Sequence, residues 1–315
     1  MFTTKTLKIF IKDYSLPIQV IQEPYFSYFI DLYDNNFQSK AKLKLLKDTI
    51  NLIGSEEEFL NLRYEISDNI IKTIKDTAAY KELVAADMDR FMVPNKGYPT
   101  KDVFKLENVG KCFLSIDFKK ANFQALKHFF PGVVLNCNSY QDLIELFTNL
   151  DYFKNSKHLR QIIFGNLNPK RQARIQRFII QQILDWAIGE EICEEKDVRM
   201  VSNDEVVFEL KDLANCFVFT EPLENEIKSK LGYNVRVDSY QLSNIGNTKF
   251  FVKSFINKSG HEIMCVPLVY FAQAYKKINN LELEEWDLCF MYEKQVCRFI
   301  EPLNFGEVDM KENIA

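Results

Sequence analysis

The sequence predicts an α+β protein with a helical N-terminal region, and three observations carry that prediction. Apolar residues recur at helical spacing from Tyr25 to about Val84. A turn-rich connector containing Pro94, Gly97 and Pro99 then ends the helical pattern. Beyond Val109, short β-branched and aromatic runs alternate with amphipathic stretches. The chain has 315 residues, 47% of them apolar and 27% charged, enough for two domains or for one large domain with appendages.

In order along the chain, Leu7 to Ile11 reads as a strand within an N-terminus whose lysines leave no continuous apolar core for a signal peptide or membrane span. Leu43, Leu46, Ile50 and Ile53, then Phe59, Leu62, Ile66, Ile70 and Ile74, mark the faces of two helices separated near Gly54-Ser55. Three or four helices are expected here, with their apolar stripes as core. From Val109 the pattern gives a strand at Cys112 to Ile116, a helix at Ala121 to Phe129, and a short strand at Val133 to Leu135. Ser139 is a candidate N-cap, with Asp142 three residues on. A strongly periodic helix follows from about Gln172 to Ile188. Val198 to Leu210 reads as a hairpin bent at Ser202-Asn203-Asp204-Glu205. After residue 250, strand-like runs at Phe250 to Phe255, Ile263 to Leu268 and Leu288 to Tyr292 flank a helix near 269–277. The expected regions are 1–108, helical; 109–250, with the chemistry; and 251–315, an α/β extension.

Composition excludes several classes. The seven cysteines are scattered singly and the three histidines have no zinc-ligand spacing, so structural zinc and a disulfide framework are not expected, and free thiols are. The net charge of −4 gives no general attraction to nucleic acid, so a polyanion must meet a local patch. With no run of 18 uncharged apolar residues, a soluble cytoplasmic protein is expected.

Three stretches could carry chemistry. In FLSIDFKKANFQALKHFF, residues 113–130, a strand delivers Asp117 at its end, where a sheet holds a carboxylate rigid for a metal; the plainer reading makes Asp117 the cap of the next helix. In the hairpin, Asp204 is the better ligand candidate and Glu205 its neighbour, while Asn and Asp are also ordinary turn residues. Were Asp117 and Asp204 on adjacent strands roughly 4 Å apart, they would repel by about 1 kcal/mol in water and about 4 at an effective dielectric of about 20. Two Mg2+ ions would relieve that repulsion and serve in-line phosphoryl transfer. The third stretch, residues 154–178, has seven cations and no acid: Lys154, Lys157, Arg160, Lys170, Arg171, Arg174 and Arg177. Lys157 and Arg160 would share a helix face with Phe164, aiming cations and a ring at a triphosphate and a base; otherwise the stretch is a solvated helix face.

Taken in order, these stretches resemble the palm and fingers motifs of the family A DNA polymerases. SIDFKKANFQALKHF is similar to that family's DYSQIELRxLAHL motif, and MVSNDEVVFEL to its VHDELVFE hairpin. KHLRQIIFGNLNP looks like a reduced form of the fingers motif RxxxKxxxFGxxYG, and RIQRFIIQQILDWAI is a weaker echo of PIQGTAADLIKLAM. The likeness covers roughly residues 109–245 and implies an antiparallel palm sheet with packed helices, shortened fingers and a thumb-like N-terminal region.

By the resemblance, Asp117 and Asp204 would be the metal-binding aspartates and Glu205 the accompanying acid. Arg160 would stand for the triphosphate-binding lysine and Phe164 for the fingers aromatic, with Lys157 beside them. Asn122 would take the place of the acid that screens the sugar, and Gln176 would face the primer terminus or minor groove. Lys170, Arg171, Arg174 and Arg177 would follow the nucleic acid. The departures are Asn203 for the histidine, Asn122 for an acid, Ser156 for the fingers arginine, and Asn168-Pro169 for Tyr-Gly. Only the 86 residues 118–203 separate the two aspartates, far fewer than is usual in the family. The implied function is a small template-dependent polymerase of viral, phage or plasmid type. It would take primer-template, nucleoside triphosphates and two Mg2+ ions, with replication proteins as further partners. Two alternatives stand beside it: a palm nucleotidyltransferase like the tRNA-histidine guanylyltransferases, and a catalytically degenerate subunit of a replication complex.

Overall fold

The computed structural model describes residues 2–94, 96–100, 102–211 and 220–306. Cys216, one of the expected free thiols, lies outside the described residues; the other six cysteines form no disulfide among the described residues. The protein is α+β. Its helices are α1 (Thr4–Tyr14), α2 (Tyr25–Leu32), α3 (Asp34–Phe37), α4 (Ser39–Ile53), α5 (Glu56–Asp76), α6 (Ala78–Ala85), α7 (Ala121–Phe129), α8 (Tyr140–Glu145), α9 (Asp151–Asn155), α10 (Lys157–Gly165), α11 (Pro169–Gly189), α12 (Thr220–Leu231) and α13 (Phe271–Ile278). Its strands are β1 (Cys112–Phe118), β2 (Val198–Val201), β3 (Glu205–Leu210), β4 (Val235–Asn244), β5 (Phe251–Phe255), β6 (His261–Met264), β7 (Cys289–Tyr292) and β8 (Gln295–Arg298).

The chain divides into two compact units, Met1–Asp87 with Ala125–Gln172 and Cys289–Arg298, and Met88–Gln124 with Ala173–Leu288 and Phe299–Ala315. They interleave along the sequence, unlike the contiguous regions that its pattern suggests.

The first unit is mostly helical and corrects two expectations. Residues 7–11 belong to helix α1 and form no strand: the Thr3 hydroxyl accepts from the Thr6 amide at 3.3 Å, and the buried Thr6, Leu7, Phe10 and Asp13 fall at helical spacing. Residues 131–134 form a 3-10 turn where a short strand was expected; Leu135 and Asn136, with φ of 53° and 58°, end it. The break between α4 and α5 falls where the sequence put it. Gly54 takes a φ of 120°, Ser55 accepts from the Glu58 amide at 3.1 Å, and Glu56, Glu57 and Glu58 face the positive helix end. The expected capping box of Ser139 and Asp142 is present in α8.

At the centre of this unit the Asp13 carboxylate is fully buried and saturated. Arg63 donates to it through Nη2 (2.8 Å) and Nε (3.4 Å), Tyr152 through its hydroxyl (2.9 Å) and Ser156 through Oγ (2.7 Å). His158 completes the group, its Nδ1 accepting from Arg63 Nη2 at 3.1 Å. Burial, the Arg63 charge and Lys12 hold the His158 imidazole below its ordinary pKa against the pull of Asp13, which keeps Nδ1 an acceptor.

The second unit is built on a six-stranded sheet in the order β2-β3-β1-β4-β5-β6, with every neighbouring pair antiparallel. One face buries Leu114, Ile116 and Phe118 of β1, Val206 and Phe208 of β3, and Val235 and Val237 of β4. α11 is held toward this face: the Phe118 ring meets Tyr233 at 5.9 Å, and the Tyr233 hydroxyl donates to Gln182 Oε1. On the opposite face Phe113, Met200, Val207, Tyr240, Leu242 and Phe251 form a second cluster under Val103 and Phe104 of the connector. That apolar cover stops partway along β1, and the face goes on with the buried Ser115 and the partly exposed Asp117.

The hairpin and the helix at 121–129 match the sequence reading, as do β5, β7 and α13 within a residue or two. The strand expected at 263–268 ends at Met264, and residues 268–270 turn into α13. α12, β4 and β8 had no counterpart in the sequence reading. Among the described residues no helix is long and apolar enough to cross a membrane.

Candidate active site

β1 is a buried run of seven residues that ends in Asp117-Phe118. α7 begins only at Ala121, after Lys120 has taken a left-handed φ of 48°, so Asp117 is a strand residue and does not cap the helix. Across from it, the β2–β3 turn is closed by Ser202, whose hydroxyl accepts from the amides of Asp204 (3.2 Å) and Glu205 (2.9 Å). Since Ser202 supplies the turn chemistry, the Asp204 carboxylate is released from that task; it is exposed and accepts from the Ser202 hydroxyl at 3.1 Å.

The β1–β3 register pairs Asp117 with Glu205, and the Phe118 amide donates to the Asp204 carbonyl at 2.7 Å. Two acids 87 and 88 residues from Asp117 along the chain thereby become its neighbours across the β1–β3 pair. Cross-strand partners share a face, so Asp117 and Glu205 project on the side where the apolar cover has ended.

β4 brings residues that the sequence reading missed. Arg236 pairs with Asp117 and Asp238 with Ser115 in the β1–β4 register. Arg236 Nη2 lies 3.7 Å from Asp117 Oδ2, while its Nε lies 3.1 Å from Asp238 Oδ2. Lys258 meets the other Asp238 oxygen at 2.5 Å. Glu205 accepts from the Ser115 hydroxyl at 2.6 Å and lies 3.7 Å from Nζ of Lys253, a buried lysine set 4.8 Å over the Tyr240 ring and 5.6 Å over Phe104. Four carboxylates thus stand among three cations. Burial raises the Asp117 pKa above the ordinary carboxylate range; Arg236 opposes that rise, and Glu205, Asp204 and Asp238 add to it. The charges of both hairpin acids are therefore felt at Asp117.

Two pairs flank this cluster. Asn122 of α7 accepts from Gln176 Nε2 of α11 at 2.5 Å, which joins the two residues that the resemblance sets at the sugar and the primer terminus. Asn203, in the place of the family's histidine, accepts from Arg177 Nε at 2.6 Å. Arg174 lies one turn before Arg177 on the same helix and is partly exposed.

The remaining predicted residues belong to the other unit and mostly have work inside it. Phe164 is fully buried, 6.4 Å from the Tyr140 ring, and has no open face to offer a base. Arg160 lies 5.7 Å over Tyr140, and burial lowers its pKa. Arg171 donates to the Ala86 carbonyl at 2.6 Å, and Lys154 pairs with Glu145 at 2.7 Å. Ser156, in the place of the fingers arginine, caps α10 and binds Asp13. Lys157 and Lys170 are exposed.

Among the described residues no group of three or more His, Cys, Asp or Glu is arranged as a metal site. The donor chemistry nonetheless fits a hard cation: Asp117 and Asp204 offer oxygens only, each with one weak or single side-chain partner, and so retain lone pairs. No known protein-family model matches the chain, and no curated protein or solved structure is significantly similar to it.

Proposed function

We propose that this chain is a small template-dependent nucleotidyltransferase with a polymerase-like palm, working with Mg2+. The observation that supports it is the β1–β3 register, which sets Asp117 opposite Glu205 on one sheet face with Asp204 next to it in the β2–β3 turn, on antiparallel strands flanked by helices. Asp117 and Asp204 would hold the metal, which when bound supplies Lewis-acid activation of a hydroxyl and charge stabilisation at the departing pyrophosphate. Glu205, leashed by Ser115 and Lys253, would keep the hairpin in register with β1. The Asn122–Gln176 pair would meet the sugar edge of the primer terminus, and Arg174 and Arg177 on α11 would meet nucleic-acid phosphates.

Purified protein with Mg2+ should extend a primed template. Asp117→Asn and Asp204→Asn should each slow extension at least about a thousandfold, roughly 4 kcal/mol of barrier, with unchanged circular dichroism. A wild-type protein that extends neither DNA nor RNA primers, with either sugar, removes the polymerase reading.

A second reading, a catalytically degenerate subunit of a replication complex, is favoured by the ion pairs of Asp117 with Arg236 and Glu205 with Lys253, which already offset part of the carboxylate charge. Calorimetry with a deoxynucleoside triphosphate and Mg2+ separates the two: no binding heat supports the degenerate subunit.

A further inference from the structure

The cation that the resemblance assigns to a triphosphate, Arg160, lies over a tyrosine ring, whereas a different pair of cations borders the carboxylates themselves. Arg236 and Lys258 share the buried carboxylate of Asp238, one on each oxygen. Asp238 is 6% exposed, and its only side-chain partners among the described residues are these two cations. Arg236 is 47% exposed and Lys258 39%. Lys258 is further fixed 4.0 Å over the Phe255 ring.

A carboxylate buried between two half-exposed cations is an orienting device. It holds the guanidinium by a 3.1 Å ion pair at Nε with 47% of the side chain still exposed, and the outer N–H groups of such a fork are those with which arginine takes phosphate oxygens. Among the described residues the other ion pair of that fork is with Asp117, at 3.7 Å, too long for a hydrogen bond. Arg236 is therefore held in place by one acid and only loosely engaged by the next.

We propose that Arg236 and Lys258, oriented together by Asp238, form an oligophosphate-binding pair beside Asp117. The ligand class is the di- or triphosphate tail of a nucleotide; that choice over a phosphodiester rests on the nucleotidyl-transfer reading, because the pair adjoins the carboxylates proposed to act at the triphosphate. In this arrangement Asp238 is a positioning residue that touches no substrate.

The test uses inorganic tripolyphosphate and the full-length protein in metal-free buffer, followed by calorimetry. Arg236→Met should weaken binding at least tenfold, and Asp238→Asn severalfold, by releasing the fork. Asp117→Asn should tighten it severalfold, because a competing negative charge leaves the guanidinium; a gain of that kind cannot come from misfolding. Wild-type affinity in Arg236→Met overturns the proposal, as does an equal or larger loss in Arg160→Met. A single-stranded oligonucleotide with hydroxyl ends is the second probe: its affinity should change less than twofold in Arg236→Met, and a loss as large as for tripolyphosphate would assign the pair to the phosphodiester backbone and overturn the proposal. The two readings fail separately. Tripolyphosphate binding with this pattern but no primer extension leaves the pair standing without the polymerase, and extension by Arg236→Met at the wild-type nucleotide KM removes the pair and leaves the polymerase.

Discussion

The two units each contain a cluster of acids and bases, and the clusters differ in how much of their bonding capacity is spent. In the helical unit Asp13 receives four hydrogen bonds on two oxygens, as many as a carboxylate can accept, and no part of it reaches solvent. In the sheet unit, among the described residues, Asp204 has one hydroxyl partner, and Asp117 has one ion pair at 3.7 Å with a third of its side chain exposed. The Asp13 carboxylate has nothing left to offer a ligand, so it holds the fold. The second retains lone pairs and charge. Unspent capacity is what distinguishes a candidate site from a structural salt bridge, and neither residue type nor the number of charges reveals it.

The largest expected effect tests the saturated side. Arg63→Met leaves Asp13 buried without its cation and should cost about 3–5 kcal/mol of stability in urea unfolding. A loss under about 1 kcal/mol would mean that Tyr152 and Ser156 suffice and the contrast is overdrawn. A smaller effect tests the unspent side. Mg2+ at ten times its dissociation constant should stabilise the wild-type protein by about 1.4 kcal/mol, read as a rise in melting temperature that Asp117→Asn and Asp204→Asn abolish. An equal rise in both variants would assign the cation to another place.

The smallest effect concerns pH. Because burial and neighbouring acids raise the Asp117 pKa, the native state holds its proton at pH values where the unfolded chain has lost it. The stability from this group therefore falls as pH rises from the ordinary carboxylate value through the raised one, and is flat above. In metal-free buffer, Asp117→Asn should match the wild type below that window and exceed it slightly at neutral pH. A variant less stable than the wild type at neutral pH would show that Arg236 outweighs the surrounding acids.

What the sequence disclosed follows from how local each signal is. The hairpin, α7, the break at Gly54-Ser55 and the capping box at Ser139 depend on residues within a few positions, and all were legible. α1 was misread because Leu7, Ile9 and Ile11 alternate as in a strand, while its burial is set by Asp13 reaching Arg63 fifty residues on. β4 was missed for a more instructive reason. Val235 and Val237 point to one face, but from Tyr240 and Leu242 the apolar side is the other one, so the strand shows no single alternation. The inversion falls at Arg236 and Asp238, where the polar end of the sheet takes over a face that is apolar further along. Asp117, Asp204 and Glu205 could be nominated from motif shape alone. Arg236 and Lys258 could not, because Lys258 reaches Asp238 from twenty residues on and Arg236 comes beside Asp117 only through the β1–β4 pairing.

The pairing of β4 with β1 also makes the polar face vulnerable in a particular way. Strand residues alternate sides, so deleting one residue from the link between α12 and β4 would turn Arg236 and Asp238 toward the helices and set valines beside Asp117. The backbone ladder could re-form after such a slip while the charge constellation vanished. Length in that short link, more than the identity of any one side chain, keeps the face assembled.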